Sequence, residues 1–260
     1  MRNINNKIRL YVMKFLIILI LFALSAASVS VRATTWGEKE FPCPVCSETN
    51  TYNTPISYGS YIYQWPSKYQ LIFWPKTDKL SHYICKDCGF SCFMGDLIKF
   101  DSTNKTKVKE MLAKVKPVLN FSNYDDCPIL KRLELSEKCY KEMNKDEYFW
   151  CEYYRVKAYF CEAEGDSAQA RRYRMKALGT AEQMLAMEKY GPIAKELLFI
   201  IGSMYYYTGS STEAAENLKA CKGVVYKGID MDEKNASALN DYLMVLTEEF
   251  LTMIEQESGK

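Results

Sequence analysis

The amino-acid sequence predicts an α+β fold in which a small β module precedes an all-α domain of helical hairpins. Three observations support this prediction: two Cys-x-x-Cys pairs in an aromatic-rich segment, helical spacing of apolar residues from about residue 104, and a partial self-match between two helical stretches. The length of 260 residues allows one large or two small domains with a real core. With 48% apolar and 25% charged residues, the composition excludes a wholly disordered chain.

Charge and histidine content narrow the possible functions. Residues 1–33 carry five positive charges and no acid, which leaves 29 positive and 32 negative charges in the rest of the chain. This balance argues against nucleic-acid binding, which normally concentrates positive charge. The single histidine, His82, excludes sites that need two or three histidines. The sequence also lacks a Gly-rich phosphate loop and a Gly-x-Ser-x-Gly motif, so we expect no enzyme.

Residues 1–33 follow the order of regions in a secretory signal peptide. A basic stretch precedes the ten apolar residues Phe15–Leu24, and small residues lead to Ala33. We expect cleavage after Ala33, or as second choice after Ala27; the alternative is an uncleaved membrane anchor. In both cases the bulk of the chain is expected outside the cytoplasm (periplasmic, secreted or anchored), with membrane contact only through this segment if it stays uncleaved.

Two cysteine pairs dominate the predicted β module, residues 36–100. Cys43-Pro-Val-Cys46 and Cys85-Lys-Asp-Cys88 are separated by 38 residues. Two residues between thiolates let one turn present both sulfurs to a single ion, so the spacing indicates tetrahedral zinc held by Cys43, Cys46, Cys85 and Cys88. Gly89 follows the second pair where the backbone needs a positive φ, whereas Ser47 fills that place less ideally after the first. Four cysteines leave no open coordination position, so the zinc would be structural.

Three other states of these cysteines remain open. Export would favour disulfides, the spacing also suits a rubredoxin-like iron site, and Cys43 with Cys46 resembles a redox dithiol. The first cysteine of a redox dithiol normally lies at the N-terminus of a helix. The sequence of residues 47–55 does not predict a helix. Between the pairs, Thr54–Tyr63 and Tyr69–Trp74 are predicted strands because they are rich in β-branched and aromatic residues. His82 is predicted to be an exposed strand residue, with metal ligation as the alternative.

The order of these motifs resembles a known bacterial family. Cys-Pro-x-Cys, aromatic strands, Tyr83-Ile-Cys85-x-x-Cys88-Gly-Phe90 and a helical region are similar to a family of uncharacterised proteins, domain of unknown function 2225. The similarity covers roughly residues 36–100 in motif and the remainder in layout. The resemblance implies a zinc-ribbon-like module joined to helical repeats. The four cysteines of the family correspond to Cys43, Cys46, Cys85 and Cys88, and the family has no established activity.

Residues 104–260 are predicted to form a helical-hairpin domain. Helices are expected over residues 105–116, 126–143, 167–189 and 232–257. A set of five residues recurs 44 positions later: Ala158, Cys161, Gly165, Ala170 and Ala177 match Gly202, Tyr205, Gly209, Ala214 and Cys221. Small residues allow close helix approach, and each middle glycine ends a first helix. The register resembles the tetratricopeptide repeat, although its usual period is about 34 residues; an ordinary antiparallel bundle is the alternative.

Stacked hairpins of this kind form a groove that binds a protein or peptide. Tyrosines on the first helices are suited to such a surface, and we name Tyr154, Tyr206 and Tyr207 as partner-binding residues; the alternative is that they pack between helices. The sequence thus predicts an exported, non-catalytic binding or scaffold protein with a structural zinc site. The alternative is an extracytoplasmic thiol-disulfide protein that uses Cys43 and Cys46.

Overall fold

The fold has a mixed α+β layout, with short strands followed mostly by helices. The computed structural model describes residues 34–58, 67–115 and 117–258. Strands β1 (Thr34–Pro42) and β2 (Thr49–Tyr58) form one two-stranded sheet, and β3 (His82–Ile84) and β4 (Ser91–Phe93) form another. The helices are α1 (Met94–Ile98), α2 (Lys105–Val115), α3 (Ile129–Lys141), α4 (Glu147–Ala163), α5 (Ser167–Leu185), α6 (Ala194–Tyr207), α7 (Ser211–Lys222) and α8 (Glu233–Ser258).

The described chain divides into two compact units. One contains the outer ends of β1 and β2, residues 34–35 and 55–58, and the other contains residues 36–54 with the described chain from Ser67 onward. The boundary near residue 100 between a β module and a helical domain stays a prediction. The predicted signal peptide, residues 1–33, lies outside the described residues. Among the helices that are described, none combines the length and apolar character that a membrane span requires.

The β3–β4 pair contacts both the other sheet and helix α3. It is antiparallel, with Tyr83 opposite Cys92. The Ser91 hydroxyl donates to the carbonyl oxygen of Tyr83 at 2.8 Å and to that of Arg132, in α3, at 2.9 Å. The Tyr83 ring also stacks on Tyr52 of β2, with ring centroids 4.2 Å apart. Both sheets and helix α3 therefore contribute to one hydrophobic core.

The helices α4 to α7 form two hairpins with the same turn. Gly165 (φ 83°) ends the first helix of one hairpin and Gly209 (φ 90°) that of the other. The Asp166 N–H donates to the Cys161 carbonyl at 2.8 Å. In the second turn, the Ser210 N–H donates in the same way to the Tyr205 carbonyl, five residues back, at 2.9 Å. This bond is typical of a helix that ends at a left-handed glycine, as the sequence predicted.

Close packing joins the two helices of the second hairpin. A Cβ atom on Gly202 would lie only 2.8 Å from Leu218 Cγ and 3.0 Å from the Ala214 carbonyl oxygen. Ala214 and its counterpart Ala170 in the first hairpin are fully buried. Small residues at these positions therefore allow the helices to approach one another.

The predicted strand Tyr69–Trp74 is wrong. Residues Lys68–Gln70 form a turn of 3₁₀ helix, and Leu71 has a left-handed backbone with φ of 47°. The side chains of Arg155 in α4 and Ser203 in α6 bind the carbonyl groups of this segment. Its backbone is thus satisfied by helices rather than by a neighbouring strand. The other predicted strand, Thr54–Tyr63, matches β2 as far as Tyr58; its remainder lies outside the described residues.

Two predicted helix boundaries also need correction. The helix expected from residue 126 begins at Ile129, because Asp126 accepts the Asn123 N–H at 3.1 Å and closes a separate 3₁₀ turn. The helix expected to reach residue 189 ends at Leu185, and a 3₁₀ helix containing Pro192 follows.

Candidate metal centre

The four cysteines of the two pairs lie together. Their sulfur atoms are all within 4.8 Å of one another, a spacing close enough for a single metal ion. The Sγ atoms of Cys43 and Cys88 are 3.7 Å apart, and those of Cys46 and Cys85 are 3.6 Å apart. A tetrahedral ion with metal–sulfur bonds of about 2.3 Å needs sulfur separations of about 3.8 Å. A disulfide would bring two sulfurs to about 2.05 Å, and all ten cysteines are free thiols.

The first pair occupies the turn between β1 and β2. The Cys43 N–H donates to the Glu48 carbonyl, and the Ser47 N–H donates to the Cys43 carbonyl, both at 2.9 Å. These bonds fold residues 43–46 into a tight turn, so that both sulfur atoms face the same point. Ser47 has a φ of 74°, a left-handed conformation that is unfavourable for a residue other than glycine.

The second pair occupies the turn between β3 and β4 and repeats this geometry. The Cys85 N–H donates to the Phe90 carbonyl at 2.8 Å, and the Gly89 N–H donates to the Cys85 carbonyl at 2.9 Å. Gly89 has a φ of 78°, which confirms the conformation predicted for it. The two turns are thus equivalent, and Ser47 adopts the glycine-like conformation of its counterpart.

Asn50 supports the cluster from β2, and no sequence motif predicted this role. Its Nδ2 atom lies 3.4 Å from the Cys85 sulfur, and its Oδ1 atom accepts the Lys86 N–H at 2.9 Å. The side chain is only 3% exposed. Side chains that hold metal ligands in place commonly tune a site in this way. No motif marked this asparagine, because it follows the first turn in sequence and contacts the second turn in space.

The thiols strongly affect each other's ionisation. The pKa of Cys85 lies well below its ordinary value, because the Cys43 and Cys88 thiols hydrogen-bond to its sulfur. The pKa of Cys43 is raised to about 12, chiefly by the same bond to Cys85, and that of Cys88 is raised by its bonds to Cys43 and Cys85. Neighbouring thiols therefore stabilise one thiolate at a time. A bound cation would stabilise all four, so metal binding should release protons.

His82 is not part of this cluster. Its Nε2 atom lies 2.8 Å from the Lys76 carbonyl oxygen, and its ring contacts Phe93 and Phe160 edge-on at 5.2 and 5.0 Å. The residue is 2% exposed, so the prediction of an exposed side chain is wrong. Burial lowers its pKa to about 3, and the imidazole is neutral at physiological pH.

The three tyrosines predicted to bind a partner do not lie in one place. Tyr206 donates to Glu257, and the rings of Tyr206 and Tyr207 contact Phe250 of α8 at 5.0 and 6.3 Å. Tyr154 instead stacks on Tyr173 of α5, with ring centroids 6.2 Å apart. Two of the three therefore border the contact between α6 and α8, and the third belongs to the contact between α4 and α5.

Comparisons with known proteins give no match. No family model, curated protein or solved structure is similar enough to this chain to be matched. The resemblance of residues 36–100 to a bacterial family stays a prediction.

Proposed function

We propose that this chain is a non-catalytic binding or scaffold protein with a structural zinc ion bound by Cys43, Cys46, Cys85 and Cys88. The observation that carries the proposal is the convergence of four sulfurs within 4.8 Å of one another on two equivalent turns. Zinc is preferred over other ions because an all-thiolate, tetrahedral and closed site is typical of structural zinc. Iron uses the same ligands and remains the alternative metal.

A structural role fits the size of the strands that the ion would join. β3 and β4 are three residues long each, and the two sheets share no strand. Such short hairpins are marginal in water without a cross-link or a metal. Each turn contributes two ligands, so a bound ion would fasten the β1–β2 sheet to the β3–β4 sheet.

We further propose that the helical part is tetratricopeptide-like and binds a protein or peptide. The support comes from the two matching hairpins, with equivalent glycine turns after α4 and α6 and buried alanines at equivalent places in α5 and α7. Helical hairpins that stack in this manner commonly present an extended binding surface.

Export is the remaining part of this proposal, and residues 1–33 are its only support. Cell fractionation with an antibody to the chain tests it, and recovery of the full-length chain in the cytoplasm would contradict it. Mass spectrometry of the mature N-terminus would locate the cleavage site or reveal an uncleaved anchor.

The decisive test of the metal proposal is metal content with a free-thiol count on protein purified without chelator. We expect about one zinc ion per chain, and loss of that ion in Cys85→Ser together with the β-sheet structure. Cys127→Ser is the matched control, because Cys127 is equally buried in the same core but outside the cluster. Bound iron would replace zinc in the proposal. Absence of any metal from freshly purified protein would refute it.

The alternative function, thiol-disulfide exchange through Cys43 and Cys46, has less support. A reactive cysteine is normally accessible and has a lowered pKa. Cys43 is 2% exposed, and its pKa is raised. We expect Cys46→Ser to trap no mixed disulfide with other proteins; a covalent partner that reducing agent releases would favour the alternative.

A further inference from the structure

The segment Ser67–Phe73, here called the inserted segment, lies on a surface formed by helices α4, α6 and α8. Three successive carbonyl groups of this segment accept hydrogen bonds from helix side chains. Arg155 of α4 donates to Gln70 O at 2.7 Å and to Leu71 O at 2.8 Å, and Ser203 of α6 donates to Tyr69 O at 2.5 Å. Arg155 and Ser203 are both buried. Since every peptide has backbone carbonyls, these two donors can bind segments of many sequences.

Helix α8 adds contacts that select particular side chains. Glu249 forms an ion pair with Lys68 at 2.6 Å and accepts the Tyr69 hydroxyl at 3.3 Å. The Tyr69 ring packs on Phe250 with centroids 4.7 Å apart. Together these contacts fit a lysine followed by a tyrosine.

Ion pairs with α4 and with Glu164, the residue that follows it, extend this charge pattern beyond the inserted segment. Lys76 pairs with Glu152, and Lys79 pairs with Glu164 at 2.5 Å. The helices thus present carboxylates to a basic stretch of chain. This charge complementarity favours a basic ligand over an acidic one.

The inserted segment is an imperfect occupant of this surface. Both polar atoms of the Gln70 side chain are buried and make no hydrogen bond to any described residue. Leu71 has a left-handed backbone that is unfavourable for leucine. A segment with an apolar side chain in place of Gln70 would avoid the first of these costs.

We propose that the surface of α4, α6 and α8 binds a peptide segment of another protein with the pattern lysine, tyrosine, apolar residue, and that the inserted segment occupies it until such a partner competes. The proposal rests on the peptide-binding function proposed above and names the chemistry of the ligand. It does not depend on the identity of the metal.

The test uses fluorescence anisotropy with two labelled eight-residue peptides: the sequence of residues 67–74, and the same sequence with methionine in place of Gln70. The full chain carrying Lys68→Ala and Tyr69→Ala, which weaken the inserted segment, should bind both peptides, the methionine peptide about tenfold more tightly. The wild-type chain should bind at least tenfold more weakly, because a tethered competitor acts at an effective concentration in the millimolar range. Absence of binding to the folded double variant would overturn the proposal.

A charge exchange tests the predicted specificity. Glu249→Lys, added to the double variant, should weaken binding at least tenfold, and a peptide with glutamate in place of Lys68 should restore it. Glu255→Lys makes the same charge change at an exposed position of α8 and is the matched control. Equal effects of the two substitutions would contradict recognition by Glu249.

Hydrogen exchange on the wild-type chain provides a second measurement if the double variant does not fold. A saturating concentration of the methionine peptide should increase amide exchange in residues 67–73 and leave α3 unchanged. Unaltered exchange in the inserted segment at saturation would overturn the proposal. Metal content, measured on the same samples, shows whether the proposed zinc centre is intact, so failure of peptide binding is distinguishable from failure of the metal proposal.

Discussion

Replacing Gly89 by alanine should destabilise the second cysteine turn in two ways, through the backbone conformation and through a clash of the added Cβ atom. With φ of +78°, an alanine here adopts a left-handed conformation, which costs about 1–2 kcal/mol. The added Cβ would lie 2.6 Å from Pro117 Cγ, so the backbone or the proline must move. Overpacking of this kind costs about 1–3 kcal/mol. We therefore expect Gly89→Ala to lower the free energy of unfolding by about 2–5 kcal/mol.

Gly165→Ala separates the two contributions. Gly165 has nearly the same φ, +83°, but no atom lies within 4 Å of an added Cβ. Its replacement should cost only the conformational part, about 1–2 kcal/mol. Urea denaturation of both metal-saturated variants, followed by circular dichroism, gives the difference directly. Equal losses of stability in the two variants would refute the packing argument at Pro117.

Three further predictions concern the centre and its surroundings. Asn50→Ala should lower metal affinity about 10–100-fold in a chelator competition, because the Cys85 sulfur loses a hydrogen-bond donor; unchanged affinity would contradict this role. Ser47→Gly should raise the urea midpoint by the equivalent of about 0.5–1 kcal/mol, since relief of the left-handed strain exceeds the added unfolded-state entropy; a lower midpoint would contradict it. His82 has a pKa of about 3 when folded and 6.5 as its ordinary value, so the unfolded chain binds a proton first as the pH falls, and stability is lost below about pH 6.5. Between pH 7 and pH 5, His82→Gln should therefore lose about 2 kcal/mol less stability than the wild type; parallel pH profiles would show that burial of the imidazole does not matter.

The two cysteine turns could be predicted because their information is local in sequence. Each turn is defined by a few adjacent residues, and spacing alone indicates that Cys85 and Cys88 face one point. The same holds for the hairpin turns, where Gly165 and Gly209 mark the ends of the first helices. In each case the chain needs no distant partner to adopt the observed backbone.

The features that could not be predicted depend on partners remote in sequence. The aromatic and β-branched residues of Tyr69–Trp74 are typical of a strand, yet Arg155 and Ser203 satisfy the backbone of this segment. His82 is a polar strand residue that was predicted to be exposed, but its ring packs edge-on against Phe160 of α4. Secondary-structure propensity depends on a residue and its neighbours in sequence, whereas burial depends on contacts with segments that are remote in sequence.

The docking of the inserted segment also sets the order of events during biosynthesis. Lys68 and Glu249 are 181 positions apart in the chain. At roughly 5–20 residues per second, a ribosome needs roughly 10–40 s to make the intervening residues. During that interval Tyr69 lacks the helix that carries Phe250, the ring on which it packs. The strand region and the first hairpin can fold while synthesis continues, but this apolar stretch has to wait for α8, and during that wait it is exposed to chaperones and to neighbouring nascent chains.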